Sequence, residues 1–262
     1  MRRFICIAIT VFLTIIVVSH RTEAQNGEWE EVFFKANQAY KEERFREAID
    51  DYNRLIQSGY ENGHIYYNLG NAHLRLNEIG EAILNYERAR LFIPRDPDLI
   101  YNLQYAHDRV QDAIPESQGF IVTAFFWLRS LSLGEVLWIF VVLNFLFWAI
   151  LFIRLFWRTE WTYYLFIVLL VFWTIAGVSF GLKWYQMETD NRAVILDKEV
   201  NILAGPDIRD TVLFKLHEGA VVHNERSEDG WYLISLPDGK RGWINAKSVR
   251  MINVPKAYPT AL

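Results

Sequence analysis

The sequence predicts a multi-domain chain: an all-α array of helical repeats, a two-helix transmembrane hairpin and a small all-β barrel. Three observations carry this. A pattern recurs at one constant offset, with Ala36-Asn37 echoed by Gly70-Asn71, Glu47-Ala48-Ile49 by Glu81-Ala82-Ile83 and Tyr52 by Tyr86. Residues 136–153 and 161–182 contain no charged side chain. Beyond them, short alternating apolar segments are divided by Gly205-Pro206-Asp207, Glu218-Gly219, Asp229-Gly230 and Asp238-Gly239.

The chain opens with Met1-Arg2-Arg3, an apolar run over 4–18 and a polar stretch ending at Ala24. This is the layout of a secretory signal peptide over 1–24, since the run is short of the roughly 20 residues a membrane span needs, with an uncleaved N-terminal anchor as the alternative. Cys6 is the only cysteine. Removal of the leader leaves no thiol, which excludes disulfides, cysteine nucleophiles and cysteine metal sites from the mature chain. Residues 25–119 hold 10 basic and 17 acidic side chains, and 183–262 hold 11 of each. Neither part is basic, so nucleic acid is excluded as a partner class.

An exact echo at this offset marks stacked helical hairpins. The 3.6-residue period predicts helices over 28–41, 45–57, 63–76, 79–92 and 97–111, within a domain spanning 25–116. The repeats run from about 29 to 62 and from 63 to 96, and the last helix caps the array. Ala36, Ala48, Gly70 and Ala82 are small where helices must approach closely. Tyr52, Tyr86, Phe45 and Ile79 fill the gaps between hairpins. Pro94 and Pro97 punctuate the end of the second repeat.

These positions resemble the tetratricopeptide repeat, through Leu69-Gly70-Asn71, Ala82-Ile83, Tyr86 and Pro94 in the second copy and Ala36-Asn37, Ala48-Ile49 and Tyr52 in the first. Tyr60 stands where a closing proline is usual. The resemblance implies a concave groove that binds peptides or partner helices, lined here by Phe33, Asn37, Tyr40, Tyr67, Asn68, Asn71, Leu74, Arg75, Tyr101 and Tyr105. Asn37 and Asn68 match two asparagines of the clamp with which some members grip a C-terminal carboxylate. The cations of that clamp are replaced by Phe33, Asp98 and Asn102, so carboxylate gripping is not predicted.

An interfacial segment is expected over 117–135, with residues 120–133 as an amphipathic helix. Transmembrane helices follow over 136–156 and 161–182, joined by a loop at 157–160. Tryptophans and tyrosines cluster near their ends, as at membrane interfaces. Arg154 and Arg158 in and beside the loop fit the positive-inside rule, which puts both soluble parts on the extracytoplasmic side of a bacterial inner membrane. Asn144 lies mid-span and requires a hydrogen bond within the hairpin, with Thr174 as one candidate, or between copies. Gly177 and Gly181 permit close helix approach. No ionisable side chain lies mid-span, which argues against an ion transporter.

Residues 192–253 read as a barrel of short strands over 193–196, 200–203, 212–216, 221–224, 231–236, 242–244 and 249–252, with a tail at 254–262. They resemble the bacterial SH3 domain through Val200-Asn201-Ile202, Gly205-Pro206, Leu216-His217-Glu218-Gly219, Gly230-Trp231-Tyr232 and Asp238-Gly239-Lys240-Arg241-Gly242-Trp243-Ile244. The resemblance implies binding of cell-wall peptides or protein segments. Trp231, Tyr232 and Trp243 form the candidate ligand face, although the two tryptophans read first as the bulky core that so small a barrel needs. His217 and His223 read as ordinary barrel residues without metal-ligand spacing.

No nucleophile elbow, phosphate loop, zinc motif or dinucleotide fingerprint occurs, so no catalytic residue, metal site or cofactor is predicted. The carboxylates of the repeats lie beside Lys and Arg and read as a solvated surface. The order of leader, repeats, membrane hairpin and SH3 module resembles the BatE-type TPR/SH3 proteins of the Bacteroides aerotolerance (Bat) operon over essentially the whole chain. That resemblance implies a non-enzymatic scaffold, with membrane-anchored von Willebrand A-domain proteins as partners and a link to aerotolerance or envelope stress. The alternative is a peptidoglycan-binding sensor acting through the SH3 module.

Overall fold

The computed structural model describes residues 29–112, 114 and 125–253. The leader, the first part of the interfacial segment and the tail lie outside the described residues.

Helices α1 (29–41), α2 (Phe45–Gln57), α3 (Gly63–Arg75), α4 (Ile79–Phe92) and α5 (Pro97–His107) form two hairpins and a closing helix. The repeat holds at the level of the backbone. Each hairpin turns through a left-handed residue, Glu43 at φ 59° and Asn77 at φ 57°. At each turn a backbone N–H reaches back five residues, Arg44 to the Ala39 carbonyl (2.9 Å) and Glu78 to the His73 carbonyl (3.0 Å). These bonds satisfy carbonyls that the helix end would otherwise leave open. Asn62 and Asp96 cap α3 and α5 through the amides of Ile65 and Leu99, and Pro97 opens α5 where its missing N–H costs nothing. Ala36, Ala48, Ala82, Tyr52 and Tyr86 are all fully buried. A Cβ on Gly70 would lie 2.7 Å from the Tyr86 ring, so only glycine admits that tyrosine.

The closing helix ends at His107 rather than 111. The chain tightens there into turns, Arg109 N–H to Ala106 and Val110 N–H to His107, which free Asp112 for a contact described below. Of the expected interfacial helix, the described part forms only one turn, α6 (Trp127–Ser130). Ser132 and Glu135 make a capping box that starts the next helix afresh. The Trp127 indole N–H donates to Ser179 Oγ (3.2 Å) and the Lys183 amine to the Leu128 carbonyl (2.7 Å), pinning this turn to the hairpin.

Helices α7 (Leu133–Phe156) and α8 (Glu160–Glu188) are long and apolar enough to cross a membrane. At 1.5 Å per residue they measure about 36 and about 44 Å. They run antiparallel, zipped by Phe140 on Phe180, Phe147 on Trp173 and the Arg154 guanidinium over Tyr163 and Phe166. Both start earlier than the apolar runs, and α8 continues past the second run to Glu188. Gly177 admits the Phe140 ring, where an added Cβ would lie at 3.3 Å, whereas Gly181 faces open space. The two glycines therefore do not act as a pair inside the hairpin. Thr174 does not meet Asn144; its hydroxyl donates to the Leu170 carbonyl (2.8 Å).

Strands β1 (Arg192–Ile195), β2 (Glu199–Leu203), β3 (Val212–His217), β4 (Val221–Glu228), β5 (Trp231–Ser235), β6 (Arg241–Asn245) and β7 (Val249–Met251) make one antiparallel sheet, ordered β3-β2-β6-β5-β4-β1-β7. Leu216 of β3 and Val249 of β7 belong to one core with Ile195, Ile202, Val222, Ile234 and Ile244, so the sheet curls around it. β4 runs on to Glu228, well past the 224 that the alternation suggested. A bulge between Asn224 and Arg226 keeps it paired with β5 as far as Asp229-Gly230. Both of those residues have positive φ, as a two-residue hairpin loop requires.

The β-module does not hang free. It docks on α4, and Val194 and Ile252 join the apolar core built by α4 and α5. At the start of α4, the Gly80 N–H donates to Glu218 Oε1 (2.9 Å), and a Cβ there would lie 2.6 Å from the Ile195 carbonyl oxygen. Arg88 donates to the Ile252 and Met251 carbonyls (3.0 and 2.9 Å), and Arg250 pairs with Glu81 (3.0 Å). Asp112 accepts from the His217 backbone (2.6 Å) and faces its ring. Glu87, 1% exposed, pairs with Arg90 (2.8 Å) and Arg192 (3.0 Å), with His107 at 3.8 Å. The solvated-surface reading of the repeat carboxylates fails at Glu87, because the β-module covers that face of α4. His217 is likewise a docking residue and not an ordinary one.

Burial alone would raise the Glu87 carboxyl; nearby His107 and the charges of Arg90 and Arg192 hold it instead at about 2. A folded value below the unfolded one stabilises the fold above the unfolded value, and that contribution is lost as pH falls through about 4.5 toward about 2. The shift corresponds to about 3 kcal/mol. Thermal melts of the detergent-solubilised chain between about pH 6 and about pH 3 should show this loss. Glu87→Gln should lower stability near neutral pH and flatten the acid dependence. Gly80→Val should destabilise the docking by about 1–3 kcal/mol through overpacking, read as earlier proteolysis between the helices and the β-module.

Candidate functional site

The side chains expected to line a groove lie on α1, α3 and α5, and the structure joins them in a repeating hydrogen-bond ladder. Asn37 Oδ1 accepts from the Tyr52 hydroxyl (2.6 Å) and from Asn68 Nδ2 (2.9 Å). One repeat on, Asn71 Oδ1 accepts from the Tyr86 hydroxyl (2.7 Å) and from Asn102 Nδ2 (3.0 Å). Asn102 also donates to the Tyr67 hydroxyl (3.0 Å). The ring pairs repeat in the same way, Phe33 with Tyr52 at 6.2 Å and Tyr67 with Tyr86 at 6.0 Å. Burial raises the Tyr52 and Tyr86 hydroxyls well above the ordinary tyrosine value, so both remain neutral donors.

Asn37 Oδ1 and Asn71 Oδ1 each accept two donors, which leaves the Asn37 Nδ2 hydrogens without an acceptor among the described residues. An extended segment laid across the helices could offer carbonyls to them. Beside the ladder, Asn37, Tyr40, Lys41, Tyr52 and Asn68 line a pocket of about 320 Å³. Tyr40 packs edge-on against Phe45, and the Arg75 guanidinium lies over that same ring at 5.2 Å. Leu74 is half-buried against the core.

Tyr101 continues the series of Phe33 and Tyr67 but, in the closing helix, has no following hairpin to cover it, and it is 71% exposed. Tyr105 is 40% exposed beneath the Arg109 guanidinium. The candidate groove thus combines a hydrogen-bonded polar floor with an open aromatic end. In the sequence Asn102 stands where a clamp cation is missing, within Tyr101-Asn102-Leu103, a third partial echo of Tyr67-Asn68-Leu69. Its place one full repeat after Asn68 is the signal that it takes Asn68's role.

In the β-module the three candidate ligand residues do not share a face. Tyr232 pairs with Ile244 and packs on the inner core, whereas Trp231 and Trp243 belong to the opposite face of the sheet. Trp243 is 6% exposed, and the Arg226 guanidinium covers its ring at 5.0 Å. A ligand approaching this face meets Trp231 and Arg226 before Trp243.

A second cavity, of about 1070 Å³, opens where α4, α5, α8 and the β-module meet, bordered by Glu87, His107, Lys183, Asp190, Arg192 and His223. Its charges are mixed, and the Glu87–Arg192–Asp190 chain that crosses it is structural. Among the described residues no group of three His, Cys, Asp or Glu is placed to hold a metal ion.

No curated protein matches the chain. The seven-stranded module carries the likeness that is found: residues 197–250 match the family described as bacterial SH3 domain.

Proposed function

We propose that the chain is a non-enzymatic, membrane-anchored adaptor. In this reading the helical array is a tetratricopeptide domain whose groove captures a segment of a partner protein. The observation that carries it is the ladder at Asn37 and Asn71, which recurs from one hairpin to the next and ends in the exposed Tyr101 and Tyr105. The β-module is held by α4 and Asp112, so docking leaves the groove helices free to receive a partner. The match over 197–250 is consistent with a protein- or peptidoglycan-binding module.

The antiparallel hairpin supports a two-span topology. It brings Ser132 and Thr189 to one end, and both soluble parts attach there. With the leader directing that end out of the cytoplasm, the groove and the SH3 module face the extracytoplasmic side of the inner membrane. By resemblance to the Bat-type proteins, the partners are membrane-anchored von Willebrand A-domain proteins of an aerotolerance or envelope-stress complex.

The structure shapes the test. Removing residues 28–112 would strip the β-module of the core it shares with α4, and replacing Asn37 or Asn71 would break helix contacts. The Tyr101→Ala, Tyr105→Ala double variant changes only exposed rings. Crosslinking and affinity purification from membranes should lose roughly tenfold of the co-purified membrane proteins in this variant, the size of effect expected of aromatic anchors. Its melting temperature should stay unchanged. Equal recovery from both chains, or recovery of wall fragments alone, would overturn the adaptor reading in favour of peptidoglycan recognition.

A further inference from the structure

Asn144 is the twelfth of the 24 residues of α7, half-buried, and makes no hydrogen bond among the described residues. Thr174, the nearest expectation from sequence, is committed to its own helix. An amide in hydrocarbon without a partner is costly, and within one hairpin nothing answers it.

The position of Asn144 on α7 shows where an answer could come from. The face that packs on α8 runs through Phe140, Phe147 and Arg154. One residue further round lie Leu137, Val141, Asn144, Trp148 and Leu155, spaced by four, three, four and seven residues. The apolar members of this second stripe are 41%, 44%, 62% and 68% exposed in chain order. A heptad stripe with one central asparagine is the pattern by which helices associate in a fixed register.

Resting on the reading that the hairpin spans a membrane, we infer that this stripe is a self-association surface whose occupant is α7 of a second copy, joined through an Asn144–Asn144 carboxamide pair. A carboxamide carries both a donor and an acceptor, so it is its own complement. Copies inserted in the same direction present α7 in parallel, with Asn144 at equal depth. A foreign helix would have to match both the depth and the chemistry.

Single cysteines test this in the full chain carrying Cys6→Ser, reconstituted in phosphatidylethanolamine and phosphatidylglycerol vesicles. Val141→Cys and Trp148→Cys lie on the stripe; Leu146→Cys, also exposed, lies off it. Oxidation should give dimer yields at 141 and 148 at least about fivefold above those at 146. Asn144→Leu should abolish the excess and Asn144→Gln should retain it. Yields equal at all three positions, or unchanged by Asn144→Leu, would overturn the inference. Extraction of the chain from the vesicles by carbonate would instead overturn the spanning premise, which separates the two failures.

Discussion

Helix α4 is buried from two directions, by α3 on one side and by the β-module on the other. That double burial removes the polar face a surface helix would keep. The charges it still carries must find partners across the seam: Glu81 with Arg250, Glu87 with Arg192, and Arg88 with the two carbonyls that end the sheet. Apolar contact through Val194 and Ile252 supplies attraction without direction. The ion pairs are directional, and a buried charge deprived of its partner is costly, so they specify one way for the module to sit.

The helical array was legible because its information is local. The echo from Ala36-Asn37 to Gly70-Asn71 located the hairpins, and turn residues such as Asp229-Gly230 marked where the strands turn, although β4 runs four residues past the alternation. The docking was not legible, because its contacts join residues more than a hundred positions apart and each partner alone looks ordinary. Glu87 beside Arg90 reads as a solvated helical pair until Arg192 and the sheet cover it. The one local sign was Gly80, a glycine in the first turn of a helix where alanine would serve unless a backbone came close. The candidate face of the SH3 module was half legible. Alternation along β5 separates Trp231 from Tyr232, a consequence of strand pleating that adjacency in sequence hides.

The hairpin follows different physics. In the proposed two-span topology the hydrophobic effect gives no net attraction between apolar helices in lipid, so shape has to hold them. Here shape means stacked aromatic rings at Phe140, Phe147, Trp173 and Phe180, and a glycine at 177 that lets one ring lie against the opposite backbone. Length and apolarity announced two helices long enough to cross a membrane; only the packing shows which faces are taken and which stay open.

Helix α8 does not stop where its apolar run stops. It carries on to Glu188, and the carbonyl of Met187 accepts from Asn253 at the far end of the β-module, while Arg95 of the helical array grips Glu135 at the head of α7. Both ends of the hairpin are therefore clamped to the body they carry, as a post is braced at its top. A flexible linker would let the groove sweep a wide volume; a braced post holds it at one height and one bearing. As the proposed adaptor, such a body would select among ligands by reach, favouring a segment whose own anchor delivers it to that height.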